Sequence, residues 1–335
     1  MRRVVRDLKS PGFLPGALLC LASLSGCATN RLPEQTWLAP AVSLPAEIAG
    51  VPHYPQELNQ CGPAALAELL TWSGASTTPE ELSPYLYIPE RGGSLQLEML
   101  VQTRVRGRIG YQIPPTSEAL QQELAAGHPV LVLQNNGLSW IPVWHYAVVV
   151  GAPEDQVLRL RSGPYANHDL PARKFMNTWR RSAYWAMVAL PPDELPVSLA
   201  PEDVLAAIEA AATVLAPAAV RDALDSAIIR WPTQAGFHFA LANLDYTAGM
   251  LQRSADGFRS ALQLDPVDLA ARNNLAWVLS ELGELDQAME QIRIGREVIS
   301  RVGAEGSDLA VALASTEVTV QCLQAGGTVG VCQGE

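Results

Sequence analysis

Apolar residues recur at helical spacing over residues 64–72, resume after Pro79-Glu80-Glu81-Leu82, and do so again over 95–105, which predicts three consecutive helices. Residues 118–126 read as a fourth, closed by Gly127. The pattern then changes to short runs of β-branched and aromatic residues at 130–133, 146–150, 157–160 and 184–190, and each predicts a strand. Helices followed by a sheet give an α+β domain over residues 50–192. Pro191-Pro192 and Leu195-Pro196 end it, and residues 197–320 carry helical patterning alone, with 321–335 as a tail.

A length of 335 residues accommodates two such domains, and 48% hydrophobic with 17% charged residues is ordinary globular composition. The net charge is −11. Arg2, Arg3, Arg6 and Lys9 stand against Asp7 at the amino terminus, so residues 27–335 alone carry −14. An acidic surface of that kind excludes nucleic acid as the main partner, because phosphates need a basic footprint. The basic amino terminus precedes an apolar run from Phe13 to Leu24 and then small residues, the layout of an export signal over residues 1–26. Its Leu24-Ser25-Gly26-Cys27 resembles the bacterial lipobox, which implies cleavage before Cys27 and lipidation of its sulfur. Acyl chains of that kind hold a protein to a membrane without a spanning helix. Ala28, where an Asp would retain a lipoprotein at the inner membrane, places the protein at the outer membrane facing the periplasm by the same resemblance. Residues 27–49 are Pro-rich and unpatterned, as a tether would be.

Export makes the cysteines countable. Cys20 leaves with the signal, Cys27 takes the lipid, and an oxidising compartment permits a disulfide between Cys322 and Cys332. Cys61 is then the odd thiol. It lies in Gln56-Glu57-Leu58-Asn59-Gln60-Cys61-Gly62-Pro63-Ala64, and a Pro ahead of a helical run places Cys61 at or just before a helix amino terminus. There the unsatisfied N–H groups and the positive dipole end favour a thiolate. A Gln a few residues upstream adds a side-chain donor for an oxyanion, with Gln56 and Gln60 as the candidates. Of the five histidines His145 is the best-placed base, because Val143-Trp144-His145-Tyr146-Ala147-Val148-Val149-Val150-Gly151 sets it at the start of an apolar strand. No phosphate-binding glycine loop and no His spacing suited to a metal is present, so no cofactor is implied.

In order along the chain these motifs resemble the bacteriocin-processing, or double-glycine, cysteine peptidases of the papain-like clan. The resemblance rests on Gln56 with Cys61-Gly62-Pro63-Ala64, the Gly92-Gly93 turn, Gly127-His128-Pro129-Val130-Leu131-Val132, and His145 through Gly151. It implies Cys61 as nucleophile, His145 as general base and then acid, and Gln56 as oxyanion donor. Two departures stand out. Gln56 lies five residues before Cys61 where the family has six, and the family's His-orienting Asp-Pro is replaced by Leu160-Arg161-Ser162-Gly163-Pro164. Ser162, Asn167, Asp155 or Asp169 would have to serve instead. In the helical part, Pro232 and Pro266 close helical segments 34 residues apart, and Leu241-Ala242, Gly249, Phe258, Ala261 and Pro266 resemble one tetratricopeptide repeat. Leu275-Ala276, Gly283, Leu285 and Ala288 resemble the next, with 199–232 as a leading repeat and 296–320 as a capping helix.

The resemblance implies a membrane-anchored peptidase cleaving a protein or peptide substrate, with repeats recruiting substrate or a protein partner. Transfer of the acyl group to an amine, or an inactive peptidase fold acting as a repeat scaffold, stay open at this point.

Overall fold

The computed structural model describes residue 37 and residues 43–55, 60–88, 93–328 and 331–332; the expected signal, Cys27 and Gln56 lie outside the described residues. The described residues fall in one compact unit, an α+β domain followed by an all-α region.

The α+β domain opens with three helices, α1 (Cys61–Trp72), α2 (Pro79–Leu86) and α3 (Gln96–Val105). Thr78 and Glu81 form a reciprocal capping box that starts α2, the Thr hydroxyl accepting from Glu81 N–H and the Glu carboxylate accepting from Thr78 N–H, each at 3.4 Å. Then come β1 (Ile109–Gln112), α4 (Ser117–Ala125), β2 (Val130–Asn135), β3 (Trp144–Glu154), β4 (Val157–Ser162), β5 (Tyr165–Pro171), α5 (Ala172–Arg180) and β6 (Ala186–Leu190). The strands form one sheet in the order β1-β6-β2-β3-β4-β5, with neighbours antiparallel.

Three of these elements carry no strong sequence signal. Strand β1 is only four residues, Ile109-Gly110-Tyr111-Gln112, and it is a strand because it pairs with β6. Strand β5 is Tyr-Ala-Asn-His-Asp-Leu-Pro, an edge strand exposed along most of its length. Helix α5 follows it directly, with Phe175, Met176 and Trp179 buried on one side. The expected tether is also shorter than its composition implies. Ile48 donates its N–H to the Val150 carbonyl at 2.6 Å and Ala152 donates to Pro45 at 2.9 Å, so residues 45–48 run along β3. Gly151 permits that approach, since a Cβ there would lie 2.7 Å from the Pro45 and Ala46 carbonyl oxygens.

Beyond Pro196 the described residues contain helices alone: α6 (Pro201–Ala212), α7 (Pro217–Arg230), α8 (Ala235–Thr247), α9 (Leu251–Leu264), α10 (Leu269–Glu281), α11 (Leu285–Val302) and α12 (Asp308–Gln324). The starts of α6, α8 and α10, and likewise of α7, α9 and α11, are each 34 residues apart. Within a pair the helices meet through small side chains; a Cβ on Gly257 would stand 2.8 Å from that of Ala242. The expected cap at 296–320 is displaced: Gly303 in the left-handed conformation ends α11, so 296–302 belongs to α11 and α12 starts at Asp308, capped by Ser307. Cys322 and Cys332 are joined by a disulfide at the end of α12. No helix among the described residues is long and apolar enough to cross a membrane.

The first helical pair shares its core with the sheet: Val204, Ile208, Val220 and Leu224 belong to the same buried cluster as Leu131, Val188 and Leu190. A polar junction fixes the chain between the two parts. The buried Glu123 carboxylate accepts from Val197 N–H (2.9 Å), Ser198 N–H (2.8 Å) and His128 Nδ1 (2.6 Å), while His128 Nε2 reaches Glu194 at 3.0 Å. Burial by itself lowers the His128 pKa, but the bonds and charges of Glu123 and Glu194 together outweigh it and raise the value above 6.5.

A raised folded pKa means that charged His128 stabilises fully below the unfolded value and that this contribution fades as pH rises through the folded one. His128→Gln should therefore cost about 2 kcal/mol near pH 5, with the gap in Tm to the wild type narrowing towards pH 9. A gap that stays constant over that range excludes a charged junction.

Candidate active site

Helix α1 positions the thiol. Its residues from Gly62 to Leu70 are all buried, and Cys61 is its first residue. Gln60 makes no side-chain cap, so the free N–H groups of the first turn are left for other acceptors. The backbone N–H groups of Tyr146 on β3, of Gly62 and of Cys61 itself lie near the sulfur and favour its anionic form. Tyr146 is the residue next to His145. Gly62 makes the seat tight: a Cβ there would stand 2.3 Å from Ser94 Oγ and 2.8 Å from Met99 Cε. Tyr146 closes the same side, its hydroxyl donating to the Ser94 carbonyl at 3.2 Å and its ring packed edge-on against Trp185.

His145 is the second residue of β3, half-buried, and its Nε2 lies 2.8 Å from Ser162 Oγ at the end of β4. This separates the candidates for the orienting partner. Asn167 instead accepts from Arg161 at 2.7 Å, Asp169 pairs with Arg159 at 2.8 Å, and Asp155 accepts from Gln156 at 3.4 Å. Ser162 in turn is held by its neighbour. The buried Arg161 guanidinium donates to Ala166 (2.6 Å), Val51 (3.2 Å) and the Glu47 carboxylate (2.6 Å), tying β4 and β5 to the segment before α1. Among the described residues Cys61 and His145 share no hydrogen bond; the ring faces Ser162 through Nε2, leaving Nδ1 for a proton from elsewhere.

The electrostatics differ from the expectation of a resting thiolate. Burial pushes the Cys61 thiol up from its ordinary value, and the three backbone donors only partly oppose it. Burial also lowers the His145 pKa, helped by the nearby charge of His168. A helix amino terminus favours a thiolate only where water or a cation shares the load, and here the site is largely closed. The free site thus holds a neutral thiol and a neutral imidazole, the imidazole ready to accept. Sequence reasoning passed over a second buried pair behind it. Glu68, two turns along α1 from Cys61, accepts from Tyr54 N–H at 3.0 Å and lies 3.2 Å from His53 Nδ1. Burial raises Glu68 to about 8 and lowers His53, so this pair is neutral as well.

Residues 48–187 match the model described as Peptidase_C39 like family. Over those residues the chain is similar to the C39-like peptidases. Among solved structures, the C39-like domain resembles a double glycine motif protease from an AMS/PCAT transporter in complex with the leader peptide, at 18% identity, covering 45% of this chain and 95% of that one, with a TM-score of 0.33. A protein described as a C39-like peptidase from Bacillus anthracis gives 15% identity, 43% and 96% coverage, and a TM-score of 0.37. No curated protein matches. Helices α6 to α12 lie outside the C39-like match.

Because the alkylation rate follows the thiolate fraction, iodoacetamide labelling of Cys61 in the free C39-like protein should still be rising at pH 9, with a midpoint above the free-thiol value of about 8.5. A midpoint below pH 8 would show that the dyad rests as an ion pair.

Proposed function

We propose that the C39-like domain is an active cysteine peptidase in which Cys61 attacks a peptide carbonyl and His145 carries the proton. The observation that supports it best is the thiol at the first position of α1 near the Tyr146 amide, which is the residue after the half-buried imidazole that Ser162 holds. With both groups neutral at rest, the proton moves from sulfur to His145 Nδ1 as the carbon–sulfur bond forms, then to the leaving amine, giving an acyl-enzyme that water cleaves. The first-turn N–H groups of α1 face the developing oxyanion, and the resemblance assigns Gln56 as the side-chain donor to it. Ser162 takes the place of the family's acid; a hydroxyl fixes the ring but stabilises imidazolium less than a carboxylate does.

In this reading the 34-residue helix pairs are tetratricopeptide repeats that recruit a protein substrate or partner. Lipid on Cys27 holds the chain to the outer membrane on the periplasmic side. One observation favours a scaffold with little activity instead, namely the hydroxyl where the family keeps a carboxylate.

With a quenched fluorescent casein as substrate, Cys61→Ala should abolish turnover, and Ser162→Ala should lower kcat by roughly tenfold to a hundredfold. Ser162→Asp should move the acidic limb of the kcat/KM profile to higher pH, since an adjacent carboxylate favours imidazolium. Turnover that survives Cys61→Ala refutes the assignment, and wild-type protein with none leaves the scaffold standing. Separately, Cys27→Ser should release the protein from membrane fractions; unchanged association would exclude the lipid anchor.

A further inference from the structure

Helix α1 carries one side chain that its packing does not explain. Between Gly62 and Leu70 every residue is buried and all are apolar or small except Glu68, whose exposure is 0%. A carboxyl in such a place costs free energy unless its oxygens are met. One of them is met: Oε1 accepts from Tyr54 N–H at 3.0 Å and lies 3.2 Å from His53 Nδ1. The other, Oε2, makes no hydrogen bond among the described residues. A leucine, as at Leu66, Leu69 and Leu70, would avoid that cost, so the cost is offset by what Oε1 holds.

Oε1 holds residues 51–54. Tyr54 is fixed twice on the α1 side, at its N–H by Glu68 and at its hydroxyl, which donates to the Thr77 carbonyl at 3.4 Å and lies 3.4 Å from Thr71 Oγ1. Three residues earlier, the Val51 carbonyl accepts from the Arg161 guanidinium on β4, from Nη2 at 3.2 Å and from Nε at 3.4 Å. His53 sits between these ends; its Nδ1 faces Glu68, and the Pro164 carbonyl lies near the ring. Residues 51–54 thus form a strap, with one end on the helix of Cys61 and the other on the strand that ends in Ser162.

That strap spans the two halves of the dyad. Helix α1 places the sulfur, and Ser162 Oγ, 2.8 Å from His145 Nε2, places the imidazole. Arg161 directly precedes Ser162, and Pro164 follows it by two residues. A hydroxyl carries no charge and rotates freely, so it orients a ring only where its own backbone is fixed.

We infer that Glu68 is a positioning residue of the peptidase site: gripping residues 53 and 54 from α1, it holds the Ser162 turn, and through Ser162 the His145 ring, in register with Cys61. Its effect on turnover rests on the peptidase reading of Cys61 and His145. Its effect on the ring does not.

The full-length chain labelled with 15N at histidine provides the test. With Nδ1 left to accept, Nε2 carries the proton to Ser162, and the wild type should show a hydrogen-bonded imidazole N–H resonance that Ser162→Ala removes. Glu68→Leu should broaden or remove the same resonance, whereas Glu68→Gln, which still offers an oxygen to Tyr54 N–H, should keep it. On the fluorescent casein, Glu68→Leu should lower kcat at least about tenfold with KM within about twofold, and Glu68→Gln should stay within about threefold of wild type. In a Ser162→Ala background Glu68→Leu should cost no more than about threefold further, because residues that act through one another are not additive. His53→Ala, at the partly exposed member of the pair, carries the same cycle where Glu68→Leu does not fold. A resonance indifferent to Glu68→Leu, a Gln variant no better than Leu, or the full loss repeated in the Ser162→Ala background overturns the proposal. Wild-type protein without turnover, but with a resonance that Glu68→Leu removes, would sink the peptidase reading and still support the strap.

Discussion

Helix α1 has no exposed face between Gly62 and Leu70, so its first residue can be placed only where the surrounding chain receives it. What receives Cys61 is the Tyr146 amide, and the rest of the C39-like domain is arranged to hold those two backbones together. Gly62 lets the Ser94 turn approach within a distance that no Cβ would allow, Tyr146 bonds back to that turn, and β3 lies at the centre of the sheet. A close-packed interior resists changes of a single methylene, which makes this seat rigid.

The same burial governs the chemistry. It raises the thiol, lowers both His145 and His53, and raises Glu68 to about 8, so the interior of the free site is kept uncharged. The exception is Arg161, whose charge is met by Glu47 and by carbonyl oxygens. It stands next to Ser162, so the element that carries the imidazole's partner is anchored by a buried cation. A neutral thiol and a neutral imidazole cost less to bury than an ion pair would.

The helical region is joined to this domain by shared core and by the Glu123–His128–Glu194 junction, not by a loose linker. Past α8 the buried cluster is its own, built from residues such as Phe258, Leu275, Leu279 and Ile292. Stacked helix pairs of this kind bury a continuous core only through their neighbours, which explains why the first pair leans on the sheet.

Much of this was readable in the amino-acid sequence: the α+β order, the helix start at Cys61, the strand start at His145, and the 34-residue period, because each is set by local periodicity and by Pro and Gly placement. Strands β1 and β5 and helix α5 were not, since short or polar edge segments become strands only through their partners. The orienting residue was narrowed by sequence to Ser162, Asn167, Asp155 and Asp169. Only the register of β3 on β4 and the capture of the other three by Arg161, Arg159 and Gln156 set Ser162 beside His145. Protonation was likewise decided by tertiary structure. Position at a helix end argues for a thiolate, but desolvation depends on what packs over the site, and sequence spacing carries no information about that.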